Sequence, residues 1–113
     1  HHEAGKVRLL ATSGVQRSPL APDVPTFREA GFDAIEGTGW QAVHTVAGTP
    51  RAKVERLAEA IAATVRARDV YAQLNAMGLE PVGSTPDELS RRMAEDAARW
   101  TPSVQASGFR ADQ

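Results

Sequence analysis

"GKVRLLATSGVQRSPLAPDVPTFREAGF", from Gly5 to Phe32, decides how the rest of the chain is read. Val7 to Ser13 is a short apolar run that ends in hydroxyl residues, the pattern of a buried strand. Pro19, Pro22 and Pro25, three of the chain's seven prolines, then fall within seven residues and make a stiff, polar connector. Thr26 is placed to cap a short helix through Ala30, with Gly31 as its stop. A stiff connector beside a core strand is either a plain loop or one wall of a binding site. Composition alone favours the loop.

Working outward, "WQAVHTVAG" from Trp40 is aromatic and β-branched enough to be a second strand. Gly48-Thr49-Pro50 then signals a helix, with Thr49 as N-cap and Pro50 at the first helical position. Val54, Leu57, Ala58, Ile61, Ala62 and Val65 follow at i, i+3, i+4, i+7, i+8 and i+11, a core-facing stripe. A second helix is predicted from Asp69 to Met77, stopped by Gly78, and "EPVG" from Glu80 reads as a short strand. Thr85-Pro86 repeats the cap-and-proline start. Leu89, Met93, Ala97, Trp100 and Val104 mark the buried face of a final helix that Gly108 ends. Pro102 should kink that helix near Ala98, because its ring meets the carbonyl four residues back. Strands and helices in this order predict an α/β layer structure with an incomplete, few-stranded sheet flanked by helices.

The chain has 113 residues, 42% hydrophobic and 24% charged, which suits one domain or a piece of a larger one. Formal net charge is -1, so nothing marks a surface for nucleic acid or acidic membrane, and we expect no nucleic-acid partner. No apolar run approaches the roughly 20 residues that span a bilayer. The absence of cysteine excludes disulfides and thiolate chemistry. No signal-peptide pattern is present. The opening "HHEAGK" reads either as the remnant of a tag or as the last turn of a helix closed by Gly5.

Catalytic patterns do not emerge. His1, His2 and His44 lack partners at ligand-like spacing, so no metal is expected. "TSGVQ" is not a nucleophile elbow, and no serine, histidine and acid fall into a triad order. Asp87-Glu88 and Glu95-Asp96 fit solvated helix faces better than paired catalytic acids. "GTGW" lacks the spacing of a phosphate loop. No cofactor and no enzymatic activity are expected.

What remains suits a small anion. Thr12 and Ser13 lie at the presumed carboxyl end of a strand, where open α/β sheets place ligands. Their hydroxyls can donate to a carboxylate, and the fork of Arg17 can grip one bidentately. Composition alone favours the plainer reading, the end of a strand and a solvated arginine. Asp23 cannot attract an anion, and more plausibly accepts backbone N–H bonds within the proline-bounded turn. Trp40 either walls a ligand site or fills the core.

The Gly5–Phe32 string, followed by a tryptophan, "AGTP", an amphipathic helix, "LNAMGLEPVGSTPDEL" and a closing "W…GF", resembles the Bug receptors, solute receptors of tripartite tricarboxylate transporters. The resemblance is ordered and spans nearly the whole chain. It implies a periplasmic-binding-protein type II (Venus-flytrap) fold, in which two α/β lobes close on a small carboxylate, with membrane permease subunits as partners. By this resemblance the chain is expected to be the carboxyl-terminal portion of such a receptor, as a fragment or as a truncated paralogue, and "HHEAGK" resembles the family's helix end, so His2 is expected to be native. Residues 1–38 would finish the second lobe and its cleft loop, 39–48 would cross the hinge, and 49–113 would return to the first lobe. Thr12, Ser13, Arg17, Asp23 and Trp40 are the ligand-binding positions it implies. Gln41, Ala42, His44 and Val46 depart from the family's usual aromatic, glycine and proline pattern after its tryptophan. The other reading is a self-associating structural domain: unpaired strand edges favour a homo-oligomer or a dimer with exchanged elements.

Overall fold

The computed structural model describes residues 1–2 and 4–110. The chain divides into two compact units, His1–Gln41 and Ala42–Gln113. Three helices are formed among the described residues: α1 (Arg51–Arg66), α2 (Arg68–Ala76) and α3 (Pro86–Ser107), all in the second unit. None is long and apolar enough to cross a membrane.

No strand is formed among the described residues, and the only pairing is an isolated parallel bridge between Thr12 and Thr26. The strands expected at Val7–Ser13, after Trp40 and at Glu80–Gly83 are therefore absent. Val7 and Leu10 are exposed, at 51% and 69%, where a buried strand was expected. A strand is held by neighbours on its edges rather than by its own residues, and a single bridge is far below the several paired strands that stand alone in water.

The first unit is organised by turns. Gly5 N–H bonds the His2 carbonyl at 2.9 Å and Lys6 N–H bonds His1 at 3.0 Å, which closes the opening turn. The helix expected from Thr26 to Ala30 does not form; the segment is a single closed turn, in which Ala30 N–H bonds the Thr26 carbonyl at 3.0 Å. Gly31 N–H bonds the Arg28 carbonyl, and Phe32 N–H bonds Phe27 at 2.9 Å. These are the two bonds of a Schellman closure, and Gly31 supplies its left-handed residue at φ 88°. The Phe27 and Phe32 rings meet edge to face at 6.3 Å across it, the apolar contact that accompanies such a closure. Val24 (5% exposed) and Thr26 (2%) are buried at this point.

In the second unit α1 packs against both α2 and α3. Val54, Ala58, Ile61, Ala62 and Val65 are half-buried, as the stripe requires, while Leu57 stays exposed. The start of α1 differs from expectation. Pro50 is its N-cap, and the Thr49 hydroxyl donates back to the Val46 carbonyl at 2.8 Å, so it caps nothing in the helix. The α3 stripe differs more. Leu89 is half-buried, but Met93, Ala97, Trp100 and Val104 are exposed: among the described residues α3 packs against α1 and not against α2. Pro102 lies inside α3, which continues through it to Ser107.

The start of α3 follows its sequence closely. The Thr85 hydroxyl accepts from Glu88 N–H at 3.2 Å, and the Glu88 carboxylate accepts from Thr85 N–H at 2.7 Å, with Pro86 at the first position. This reciprocal box satisfies two donors that a helix start leaves orphaned. Thr85→Ala is expected to cost about 1 kcal/mol in urea unfolding, and Thr85→Ser close to nothing, since only the latter keeps the capping oxygen. Equal losses from both would show that the box does not hold this helix.

Candidate functional site

All five residues singled out from the sequence fall in the first unit. Thr12 N–H donates to the Pro25 carbonyl and Phe27 N–H donates to the Thr12 carbonyl, each at 2.9 Å. On its other side the chain is tied to Gly37: Gly37 N–H bonds the Ser13 carbonyl at 2.9 Å, and the Ser13 hydroxyl donates to the Gly37 carbonyl at 2.6 Å. The Thr12–Ser13 segment is thus bracketed by residues 25–27 and by residue 37, as a strand end would be between two neighbours. Ser13's proton is committed to Gly37, so towards a ligand its oxygen acts first as an acceptor. The Thr12 hydroxyl is buried with no hydrogen-bond partner, a group that ordinarily finds one.

Arg17 does not stand free in solvent. Its Nε–H donates to both carboxylate oxygens of Glu29, at 3.0 and 2.9 Å, and Nη1 donates to the Pro22 carbonyl at 3.3 Å. Glu29 in turn accepts from Thr26 N–H at 2.7 Å, while Glu29 N–H donates to the Thr26 hydroxyl at 3.1 Å. The bond from Arg17 and then the Thr26 N–H hold the Glu29 carboxyl below its ordinary value, against a smaller opposing effect of desolvation. The same pairing raises Arg17. Because Glu29 is depressed on folding, its stabilising contribution is complete above the ordinary carboxylate range. It is lost as pH falls through the lowered value.

Asp23 is exposed, and its charge adds slightly to the rise in Arg17. The turn around it is closed by Ala21 N–H to Ser18, Val24 N–H to Ala21, and Leu20 N–H to the Ser18 hydroxyl at 3.2 Å. Trp40 is 40% exposed and so does not fill a core. Glu29 and Gly37 are the two participants that sequence reasoning missed. Glu29 carried a signal, since Thr26-x-x-Glu29 has the spacing of a capping box. Gly37 carried none. In the second unit a groove of about 540 Å³ lies between α1 and the start of α3, lined by Arg51, Glu55, Arg66 and Asp87 among others. Within it Arg51 is bonded to Glu55 at 2.7 Å and to Asp87 at 3.0 Å.

A family model described as the tripartite tricarboxylate transporter family receptor matches residues 1–109. The chain is 33% identical over 111 residues to a UPF0065 protein from the tcbD-tcbE intergenic region of Pseudomonas sp. (strain P51), covering 97% of this chain and 33% of the relative. It is 31% identical over 108 residues to protein BugT of Bordetella pertussis, covering 96% and 33%. A UPF0065 protein from the TAR-I ttuE-ttuC' intergenic region of Agrobacterium vitis is 27% identical over 109 residues, covering 94% and 32%. The chain spans about a third of the length of these curated relatives.

Proposed function

The chain belongs to the tripartite tricarboxylate transporter receptor family, and on that premise we propose that it is the carboxyl-terminal third of a periplasmic solute receptor. The family is one of solute-binding, non-enzymatic receptors with a periplasmic-binding-protein fold. In this reading the ligand is a small carboxylic acid, held in a cleft between two lobes. Thr12, Ser13, Arg17, Asp23 and Trp40 border that cleft, and residues 39–48 cross between lobes. Closure would offer a new surface to membrane permease subunits. The sheet is completed by strands of the remaining two thirds, which also cover the exposed face of α3.

The observation that carries the site is the double bracket around Thr12 and Ser13, tied to residues 25–27 on one side and to Gly37 on the other. Such a bracket holds the end of an extended segment, and in this reading that end corresponds to the carboxyl end of a strand, where open α/β sheets bind ligands. The unpartnered Thr12 hydroxyl lies at that end.

Half a cleft lacks opposed contacts and the exclusion of water, so the isolated chain is expected to bind citrate, glutamate, adipate or benzoate no better than millimolar. A chimaera in which this chain replaces the matching third of the Bordetella pertussis relative should gain strand signal by circular dichroism. It should also bind at least one carboxylate in the micromolar range by calorimetry. A micromolar constant for the isolated chain, or a folded chimaera that binds none of a broad carboxylate panel, would overturn the reading. Sedimentation of the isolated chain addresses the self-associating alternative, which requires a dimer at micromolar concentration.

A further inference from the structure

We propose that Arg17 and Glu29 form a clamp that sets the Thr12–Ser13 segment in place, which makes Arg17 a positioning residue and leaves the grip on a ligand carboxylate to other donors. The role of that segment in binding rests on the receptor reading above; the clamp itself needs no ligand.

The bonds run in one chain. Arg17 holds both oxygens of Glu29 through Nε, and it holds Pro22 in the middle of the connector through Nη1. Glu29 holds the backbone N–H of Thr26. The neighbours of Thr26 on either side, Pro25 and Phe27, make the backbone bonds to Thr12. The clamp therefore joins the start, the middle and the end of the proline-rich connector, and it ends on the segment that the site depends on.

Competition decides the role of Arg17. A guanidinium receives a carboxylate side-on through Nε and an Nη, or end-on through its two Nη groups. Glu29 already fills the Nε edge, and on the end-on edge Nη1 is engaged by the Pro22 carbonyl at 3.3 Å. A ligand taking the Nε edge must expel Glu29, and Glu29 cannot leave without stranding the N–H of Thr26, a residue only 2% exposed. A buried donor without a partner is a larger loss than an exposed ion pair is a gain.

The molecule also contains its own control. The box at Thr85 and Glu88 closes by the same reciprocal bonds, with Arg91 contributing only its charge. A capping box thus needs no arginine bonded to its glutamate. The arginine at Glu29 is an addition whose other contact, Pro22, lies in the connector.

The test uses the isolated chain without ligand, by NMR. The Glu29 carboxyl should titrate below the ordinary glutamate midpoint in the unaltered chain. Arg17→Ala should return it towards that midpoint, and Arg17→Lys should return it part of the way. Glu29→Gln keeps an oxygen for the Thr26 cap but removes the charge that holds Arg17. It should therefore leave Thr26 protected and speed amide exchange at Ala21 and Val24 by roughly two- to fivefold. The double variant Arg17→Ala/Glu29→Gln should exchange no faster than either single one. A Glu29 midpoint unmoved by Arg17→Ala, or additive effects in the double variant, would overturn the clamp. A shift of the Arg17 Nε–H signal on adding citrate would overturn the positioning role. Failure of the chimaera to bind carboxylates would leave all these titrations unchanged, so the two readings fail separately.

Discussion

Gly83→Ala is expected to destabilise the helical unit by about 2–4 kcal/mol, against about 1 kcal/mol for Gly78→Ala. Both glycines have positive φ, 65° and 79°, so both substitutions force a side chain into the left-handed region. Only Gly83 adds crowding. A Cβ there would lie 3.1 Å from the Ala62 Cα, 3.1 Å from Val65 Cγ2 and 3.2 Å from the Ala62 Cβ, whereas one at Gly78 meets nothing within 4 Å. The Ala62 atoms belong to the α1 backbone and its shortest branch, so they cannot rotate away. The loop before α3 must then back off from α1, and the capping box at Thr85 moves with it. Urea unfolding followed by far-ultraviolet circular dichroism measures the difference between the two variants. Equal losses would mean that the approach of Gly83 to α1 contributes nothing and that only backbone strain is being read.

The same residue shows why part of this fold was legible in the sequence and part was not. "EPVG" reads as a strand by composition, yet its glycine is used for close approach to a helix some twenty residues earlier. That is a tertiary fact with no local signature. Helix ends, by contrast, are local. Thr85, Pro86 and Gly108 bracket α3 through contacts within a few residues and are legible as helix ends, while Glu88, read only as a solvated acid of the first turn, closes the box with Thr85. Where a local signal failed, it failed by one residue: the Thr49 hydroxyl found the Val46 carbonyl before it could cap α1. Strands lie at the other extreme. An apolar run such as Val7–Leu10 announces that it wants covering, but its edges need partners, and the described residues supply one bridge at Thr12.

The site divides along the same line. Thr12 and Ser13 stand out as candidates, because hydroxyl residues closing an apolar run are adjacent in the chain. Arg17 could be found as a cation. What it does could not be found, since its partner lies twelve residues away across three prolines. An arginine read in isolation looks like a hand held out to a ligand. Read with Glu29, Thr26 and Pro22 it is a brace. The three prolines then gain a purpose beyond stiffness: they limit how far the connector can stray, so one exposed ion pair is enough to fix it.

Pro102→Ala is expected to favour the helical state of the last turns of α3 by about 2–3 kcal/mol, near the full penalty for an interior proline. Proline has no N–H to give the Ala98 carbonyl, and its ring crowds that carbonyl. One residue earlier, the Thr101 hydroxyl donates to the Ala97 carbonyl at 2.6 Å, a back-bond that also tends to bend a helix. Burial among the described residues of the second unit does little to offset this, since Trp100 and Val104 stay exposed at 49% and 46%. Pro86→Ala provides the comparison, because Pro86 begins the same helix, where the missing N–H is one of the orphans in any case. The same chemical change should therefore raise helicity at position 102 and leave it level, or slightly lower it, at position 86. Circular dichroism at 222 nm gives the total, and amide exchange at residues 103–107 locates it. If Pro102→Ala left both unchanged, the last turns of α3 would be held by contacts other than their own ladder. If it lowered helicity, the proline itself would be stabilising this helix end, which in a receptor would mean that the face of α3 around Pro102 fits a surface of the remaining two thirds.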